Sequence, residues 1–120
     1  MKTIKELLLN LIAEDISDKI TFGGAWANQH RRAYRIGGMV FFTLEGYAGT
    51  IVAGTQYTLA TIANGYKPKN DVAFTGHTTN GNFLPNGIVN CWVWASGSIT
   101  VRVSNANGNY VFVSGWYKIA

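Results

Sequence analysis

From residue 21 onward the sequence alternates apolar and polar residues over short segments, and turn residues separate these segments roughly every 8–12 positions. Because successive side chains of a strand point to opposite faces, this alternation predicts strands with one buried face. Seven or eight short antiparallel strands are enough for two packed sheets. The predicted fold is therefore all-β, an antiparallel β-sandwich or barrel. The predicted strands are 33–36, 39–46, 57–62, 72–75, 88–94, 99–103 and 110–117, and a polar loop is predicted over 76–87.

The N-terminal residues 3–14 have helical spacing instead, because apolar residues recur at i, i+3, i+4, i+7 and i+8 from Ile4 to Ile12. A helix of about three turns is marginal alone in water, so it needs a partner surface, either its own domain or copies of itself. We predict one short helix within residues 1–20 and a β domain over residues 21–120. No segment approaches the ~20 apolar residues that span a bilayer, so membrane insertion is not expected.

Charged residues make up only 13% of the chain, against roughly 25% in an average protein. The net charge is +4, and residues 21–120 carry most of the positive charge. These basic residues are few and dispersed, and no helix would present them to a groove of DNA. Nucleic acid is therefore not an expected partner.

The residue types needed for catalysis are scarce. Residues 21–120 contain only two acids, Glu45 and Asp71, and nothing in the sequence brings them together as a glycosidase pair. The two histidines, His30 and His77, have no nucleophile motif beside them, and the single cysteine, Cys91, cannot build a metal site alone. Phosphate-binding glycine loops are also missing. We expect no enzyme activity, no metal and no cofactor.

The alternation also divides the strand residues between two faces. Val89, Cys91 and Val93 form a small apolar face that suits a core, which leaves Trp92 and Trp94 on the opposite face. Three interpretations of the aromatic face remain open: it is the core, a subunit interface or a ligand platform. Flat aromatic rings stack on the apolar faces of sugars, and Asn, His and Arg side chains hydrogen-bond to sugar hydroxyls. The aromatic face would hold Asn90, Trp92, Trp94, Thr100, Arg102 and Phe112.

Three short motifs resemble those of a known family. Residues 34–40 read Tyr-Arg-Ile-Gly-Gly-Met-Val, residues 59–68 read Leu-Ala-Thr-Ile-Ala-Asn-Gly-Tyr-Lys-Pro, and residues 72–77 read Val-Ala-Phe-Thr-Gly-His. They resemble strand and turn motifs of phage tail receptor-binding heads, of the type carried on baseplates of phages that infect lactococci and related Gram-positive bacteria. The resemblance covers roughly residues 30–120. Ile62-Ala63 stands where the family has Leu-Pro.

This resemblance implies a jelly-roll-like head that forms a homotrimer, contacts other tail or baseplate proteins and binds a host cell-wall saccharide without cleaving it. It places the protein in the virion, at the tail tip, after synthesis in the host cytoplasm, and makes the helix the end of a trimeric stem. His77, at the Gly-His corner, is the one site residue that the resemblance carries over. Position and chemistry add Asn82, Phe83, Trp92, Trp94 and Arg102. A monomeric carbohydrate-binding module and a structural trimerisation cap of a fibre remain alternatives.

Overall fold

The computed structural model describes residues 3–4, 12–79, 85–104 and 109–119. These residues form one nine-stranded sheet, in which every pair of neighbouring strands is antiparallel. The predicted all-β antiparallel fold is therefore confirmed. The strands are β1 (Glu14–Asp15), β2 (Ile20–Phe22), β3 (Ala27–Ile36), β4 (Met39–Tyr47), β5 (Gln56–Ile62), β6 (Val72–Thr79), β7 (Pro85–Val93), β8 (Ser98–Val103) and β9 (Tyr110–Lys118), with a 3-10 turn at Ser17–Lys19.

The sheet is curled into a half-barrel with strand order β1-β3-β4-β9-β6-β7-β8-β5-β2. β2 and the segment after it lie against β4 across the core, at Gly46. A Cβ atom at Gly46 would lie 3.1 Å from the Trp26 ring and 3.3 Å from the Phe22 ring, so the glycine leaves room for aromatic rings from the far side of the sheet. The concave face is therefore the interior of the domain.

The core consists of the aliphatic faces that the alternation predicts. Val89, Cys91 and Val93 are fully buried, as are Ile99 of β8 and Val111 of β9. Burying a side chain of this size contributes roughly 1.5–3 kcal/mol to folding. The interpretation that places Trp92 and Trp94 in the core is wrong, because both lie on the convex face.

Two predicted segments differ from the observed strands. β6 continues to Thr79 and β7 begins at Pro85, so most of the polar loop predicted over 76–87 is strand. Thr78 and Thr79 are buried, and their backbones pair with both β7 and β9, which extends the ladder through a sequence that lacks apolar alternation. β3 likewise begins at Ala27, ahead of the predicted start at residue 33.

The sheet begins ahead of the predicted domain boundary at residue 21. Glu14 and Asp15, the first of which was expected to end the helix, pair instead with Arg35 and Tyr34 of β3. Residues 14–20 thus belong to the β domain, with Ile16 packed in its core. Residues 5–11, which make up most of the predicted helix, lie outside the described residues. In the described part of the chain, no helix is long and apolar enough to cross a bilayer.

Candidate functional site

The convex face of β7, β8 and β5 carries a pocket of about 240 Å³. Strand register sets its composition, because Asn90 of β7 lies opposite Arg102 of β8, which lies opposite Gln56 of β5. Side chains at such paired positions share one face of the sheet. We call this site the tryptophan pocket and define it by the side chains of Gln56, Asn90, Trp92, Trp94 and Arg102.

Two indole rings form its apolar wall. Trp92 and Trp94 stack with ring centroids 5.2 Å apart and planes 18° apart. The Trp94 Nε1 donates a 2.8 Å hydrogen bond to the Thr100 hydroxyl, which is only 4% exposed. Trp92 is 41% exposed. The Trp92–Trp94 pair therefore presents a flat aromatic surface to solvent, and the hydrogen bond to Thr100 fixes the orientation of the Trp94 ring.

His77 lies on the same convex face, beside the pocket rather than in its wall. Its ring stacks on Phe112 of β9, with centroids 5.1 Å apart and planes 12° apart. Its cross-strand partner on β7 is Ile88, a residue that is 55% exposed and lies two positions before Asn90. The exposed imidazole thus extends the surface beyond the pocket towards β9.

The structure brings together three of the six residues predicted for the site. Trp92, Trp94 and Arg102 line one pocket, and His77 lies on the same face beside it. Asn82 and Phe83 lie outside the described residues. Sequence reasoning missed Gln56, because the predicted strand began one residue later and gave no register with β8. The assignment of these residues to ligand binding remains a prediction.

The two acids of residues 21–120 and the thiol lie in three different parts of the structure. Asp71 Oδ1 accepts a 2.7 Å hydrogen bond from the Ala95 backbone N–H, which fixes the turn between β7 and β8. Glu45 lies near the C-terminal end of β4, opposite His30 and Phe112. Burial raises the pKa of the Cys91 thiol to about 12, which disfavours the reactive thiolate.

Metal-ligating side chains are similarly scattered. Within residues 3–4, 12–79, 85–104 and 109–119, no group of three or more His, Cys, Asp or Glu side chains could hold a metal ion. The tryptophan pocket instead offers aromatic faces, amide groups and a guanidinium. Groups of these kinds stack on flat apolar surfaces and hydrogen-bond to polar groups.

The chain was compared with known proteins by sequence and by structure. No protein-family model matches the sequence, and no curated protein matches it. Among solved structures, the chain is similar to the head domain of phage bIL170, which is described among the receptor-binding domains of lactococcal phages. The match has a TM-score of 0.60 at 14% identity and covers 92% of this chain and 99% of that one. The family resemblance in the sequence is therefore confirmed as a resemblance of fold, and this chain has the fold of a phage head domain.

Proposed function

We propose that this chain is the receptor-binding head of a phage or prophage tail, and that it binds a saccharide of the host cell surface without cleaving it. The observation that carries the proposal is the half-exposed Trp92–Trp94 stack, flanked by Asn90 and Arg102, on the convex face of a head-domain fold. An exposed aromatic surface of this kind marks a binding site.

The pocket supports recognition of a sugar. The indole of Trp92 stacks on the apolar face of a sugar ring, while the Asn90 amide and the Arg102 guanidinium hydrogen-bond to its hydroxyls. Retention without cleavage fits the tryptophan pocket, because glycoside hydrolysis uses two carboxylates that flank one bond, and in the described part of the chain no Asp or Glu side chain lines this pocket. We therefore propose that the saccharide dissociates from the site uncleaved.

The same proposal includes the location of the head in the phage and the proteins with which it assembles. The protein is a virion component at the tail tip or baseplate, it assembles as a homotrimer, and other tail proteins carry it. A head in three copies binds repeated units of a cell-surface polymer at once, and the avidity of the trimer then exceeds the affinity of a single site.

The test is calorimetric titration of the full chain with purified cell-wall polysaccharides from lactococci and related Gram-positive bacteria. We expect Trp92→Ala and Arg102→Ala each to weaken binding about tenfold or more, as central aromatic and arginine contacts do in other interfaces. Trp116→Ala is the matched control, because Trp116 is 57% exposed on the same convex face but outside the pocket.

Solution mass and the thermal unfolding midpoint, measured on each variant, separate a loss of binding from a loss of assembly or fold. If both pocket variants retain wild-type affinity, the assignment of the site is wrong. If the wild-type chain binds none of the polysaccharides, the proposed function itself is wrong.

A further inference from the structure

A second concave region lies on the convex side of the sheet, at β1, β3 and β4. Its volume is about 530 Å³, and Phe112 of β9 lies at its border with the rest of the face. We call it the arginine groove and define it by Asp15, His30, Arg32, Tyr34 and Glu45. Among the six residues that the sequence predicts for the site, none lies here.

A β-bulge in β3 creates this groove. The register with β4 shifts between Ala27, which pairs with Tyr47, and His30, which pairs with Glu45. An uninterrupted ladder would set Gln29 opposite Glu45, so one extra residue turns His30, Arg32 and Tyr34 to the convex face. A one-residue slip exchanges the two faces of a strand, and bulges of this kind often re-aim side chains next to functional sites.

The bulge contains a residue with a positive φ. Asn28 has a φ of 49°, in the left-handed region that asparagine adopts more readily than other non-glycine residues. Hydrogen bonds hold this conformation, since the Asn28 Nδ2 donates to the Tyr110 hydroxyl at 3.4 Å and the Gln29 Nε2 donates to the Trp26 carbonyl at 2.7 Å. These side-chain contacts link the bulge to β9 and to Trp26.

The groove contains an exposed guanidinium, that of Arg32, to which a ligand can bind. In the described part of the chain, the guanidinium of Arg32 has no hydrogen-bond partner. Hydrogen bonds from the side chain and backbone of Ser17 hold the pKa of Asp15 below its ordinary value, with a smaller contribution from the charge of Arg32. The groove therefore presents a guanidinium, two carboxylates and the Tyr34 ring, groups that hydrogen-bond to hydroxyls and stack on a sugar.

The groove and the tryptophan pocket are joined by the His77–Phe112 stack. One cross-strand row runs from His30 through Glu45, Phe112 and His77 to Ile88, each residue paired with the next. The row crosses β3, β4, β9, β6 and β7, and β8 with Arg102 follows. At about 4.8 Å between neighbouring strands, the path from β3 to β8 is about 24 Å long. A single sugar cannot contact both ends of this path.

We infer that the arginine groove is a second saccharide subsite, and that one extended oligosaccharide chain occupies both subsites by crossing the strands over the His77–Phe112 stack. This inference rests on the proposed function and specifies its ligand: a linear segment of a surface polysaccharide rather than one terminal sugar. The bulge at Asn28 prepares the groove before the ligand arrives, which reduces the ordering cost of binding.

The experiment measures dissociation constants for size-fractionated fragments of a cell-wall polysaccharide that the wild-type chain binds. The wild-type chain should bind long fragments about tenfold tighter than short ones, because long fragments reach both subsites. Arg32→Ala should remove that gain and leave the affinity for short fragments unchanged. Trp92→Ala should weaken the binding of both.

Lys69→Ala is the matched control, since it removes one positive charge from an exposed residue between β5 and β6, outside both subsites. If Arg32→Ala binds long fragments as tightly as the wild-type chain does, the second subsite does not exist, whereas the proposed function stands. If the wild-type chain binds no polysaccharide of any length, both proposals fail together. Equal losses of affinity for long fragments in Arg32→Ala and Lys69→Ala would also contradict the second subsite, because the change in net charge would then explain both losses.

Discussion

The Trp94 indole keeps its orientation through the residue beneath it. Its Nε1 donates to the Thr100 hydroxyl, and Thr100 is itself almost fully buried between β7 and β5. Thr100 itself lines the pocket, and because its hydroxyl already accepts the indole N–H, we expect it to act as a positioning residue for Trp94. The geometry of the Trp92–Trp94 stack therefore depends on a hydroxyl that solvent hardly reaches.

Thr100→Val tests this dependence. Valine has nearly the same shape and lacks the acceptor, so we expect a loss of about 1 kcal/mol in the free energy of unfolding. Saccharide affinity should fall as well, because the Trp94 ring loses its fixed orientation. Denaturant unfolding and calorimetric titration measure the two effects. Thr100→Ser keeps the hydroxyl and should retain most of the binding; equal binding by the Val and Ser variants would contradict the positioning role.

Cys91 provides a second prediction at this scale. Its side chain is fully buried, and desolvation raises the pKa of the thiol to about 12. Because the folded-state pKa lies above the unfolded value of about 8.5, the thiol's contribution to stability is complete below that value and is lost as the pH rises towards 12. A thiol reagent at about pH 8 should leave the folded protein unlabelled and react after unfolding in urea. Rapid labelling of the folded protein would show that the core face is misassigned.

Among the elements, β6 and β9 lie in close contact at Gly76. A Cβ atom there would meet the Phe112 carbonyl and lie 2.7 Å from a Val113 methyl group. This contact brings His77 of β6 next to Phe112 of β9, so the stack that joins the two subsites depends on it. Glycine is needed here for close backbone approach rather than for a turn.

Gly76→Ala should destabilise the fold by about 1–3 kcal/mol, since the two strands must move apart to fit the methyl group. Gly49→Ala is the control, because a Cβ atom at Gly49 meets no atom within 4 Å. Its effect should stay within about 0.5 kcal/mol. Thermal unfolding measures both variants, and similar midpoints would show that β6 and β9 are less tightly paired than described.

Elements with clear alternation could be predicted from the sequence, and elements without it could not. β8 and β9 follow from valine and isoleucine at every second position. The end of β6 lacks that pattern, because the buried positions there are the threonines Thr78 and Thr79. The start of β3 at Ala27 also lacks it, because both of its faces are exposed. The bulge at Asn28 has no signal in composition, so the change of face at His30 could not be foreseen.

The parts of the candidate site also differ in whether the sequence predicts them. Trp92 and Trp94 follow from alternation within one strand, and Arg102 joins them across the short turn between β7 and β8. The stack of His77 on Phe112 needs the pairing of β6 with β9, two strands far apart in the sequence. No local pattern contains that pairing. The arginine groove needs β1, β3 and β4 together and was missed for the same reason.

For the whole molecule, the proposed trimer predicts a mass of three times the 13.1 kDa chain in solution. The apolar stripe predicted between Ile4 and Ile12 would contribute to assembly, since so short a helix needs a partner surface. Light scattering on a sizing column measures this mass. A value of one chain would remove the trimer and favour a monomeric carbohydrate-binding module.

The central claim is that the tryptophan pocket binds the saccharide, and the four tryptophans report on it separately. Trp26 is 5% exposed in the core and donates to the Thr58 carbonyl, Trp92 and Trp94 line the pocket, and Trp116 is exposed outside it. The decisive measurement is a ¹H–¹⁵N spectrum of the four indole N–H signals, assigned by single Trp→Phe variants, during titration with a bound cell-wall polysaccharide. The signals of Trp92 and Trp94 should shift with saturation, while that of the buried Trp26 stays in place. A shift confined to Trp116, or no shift in the two pocket signals, would contradict the account.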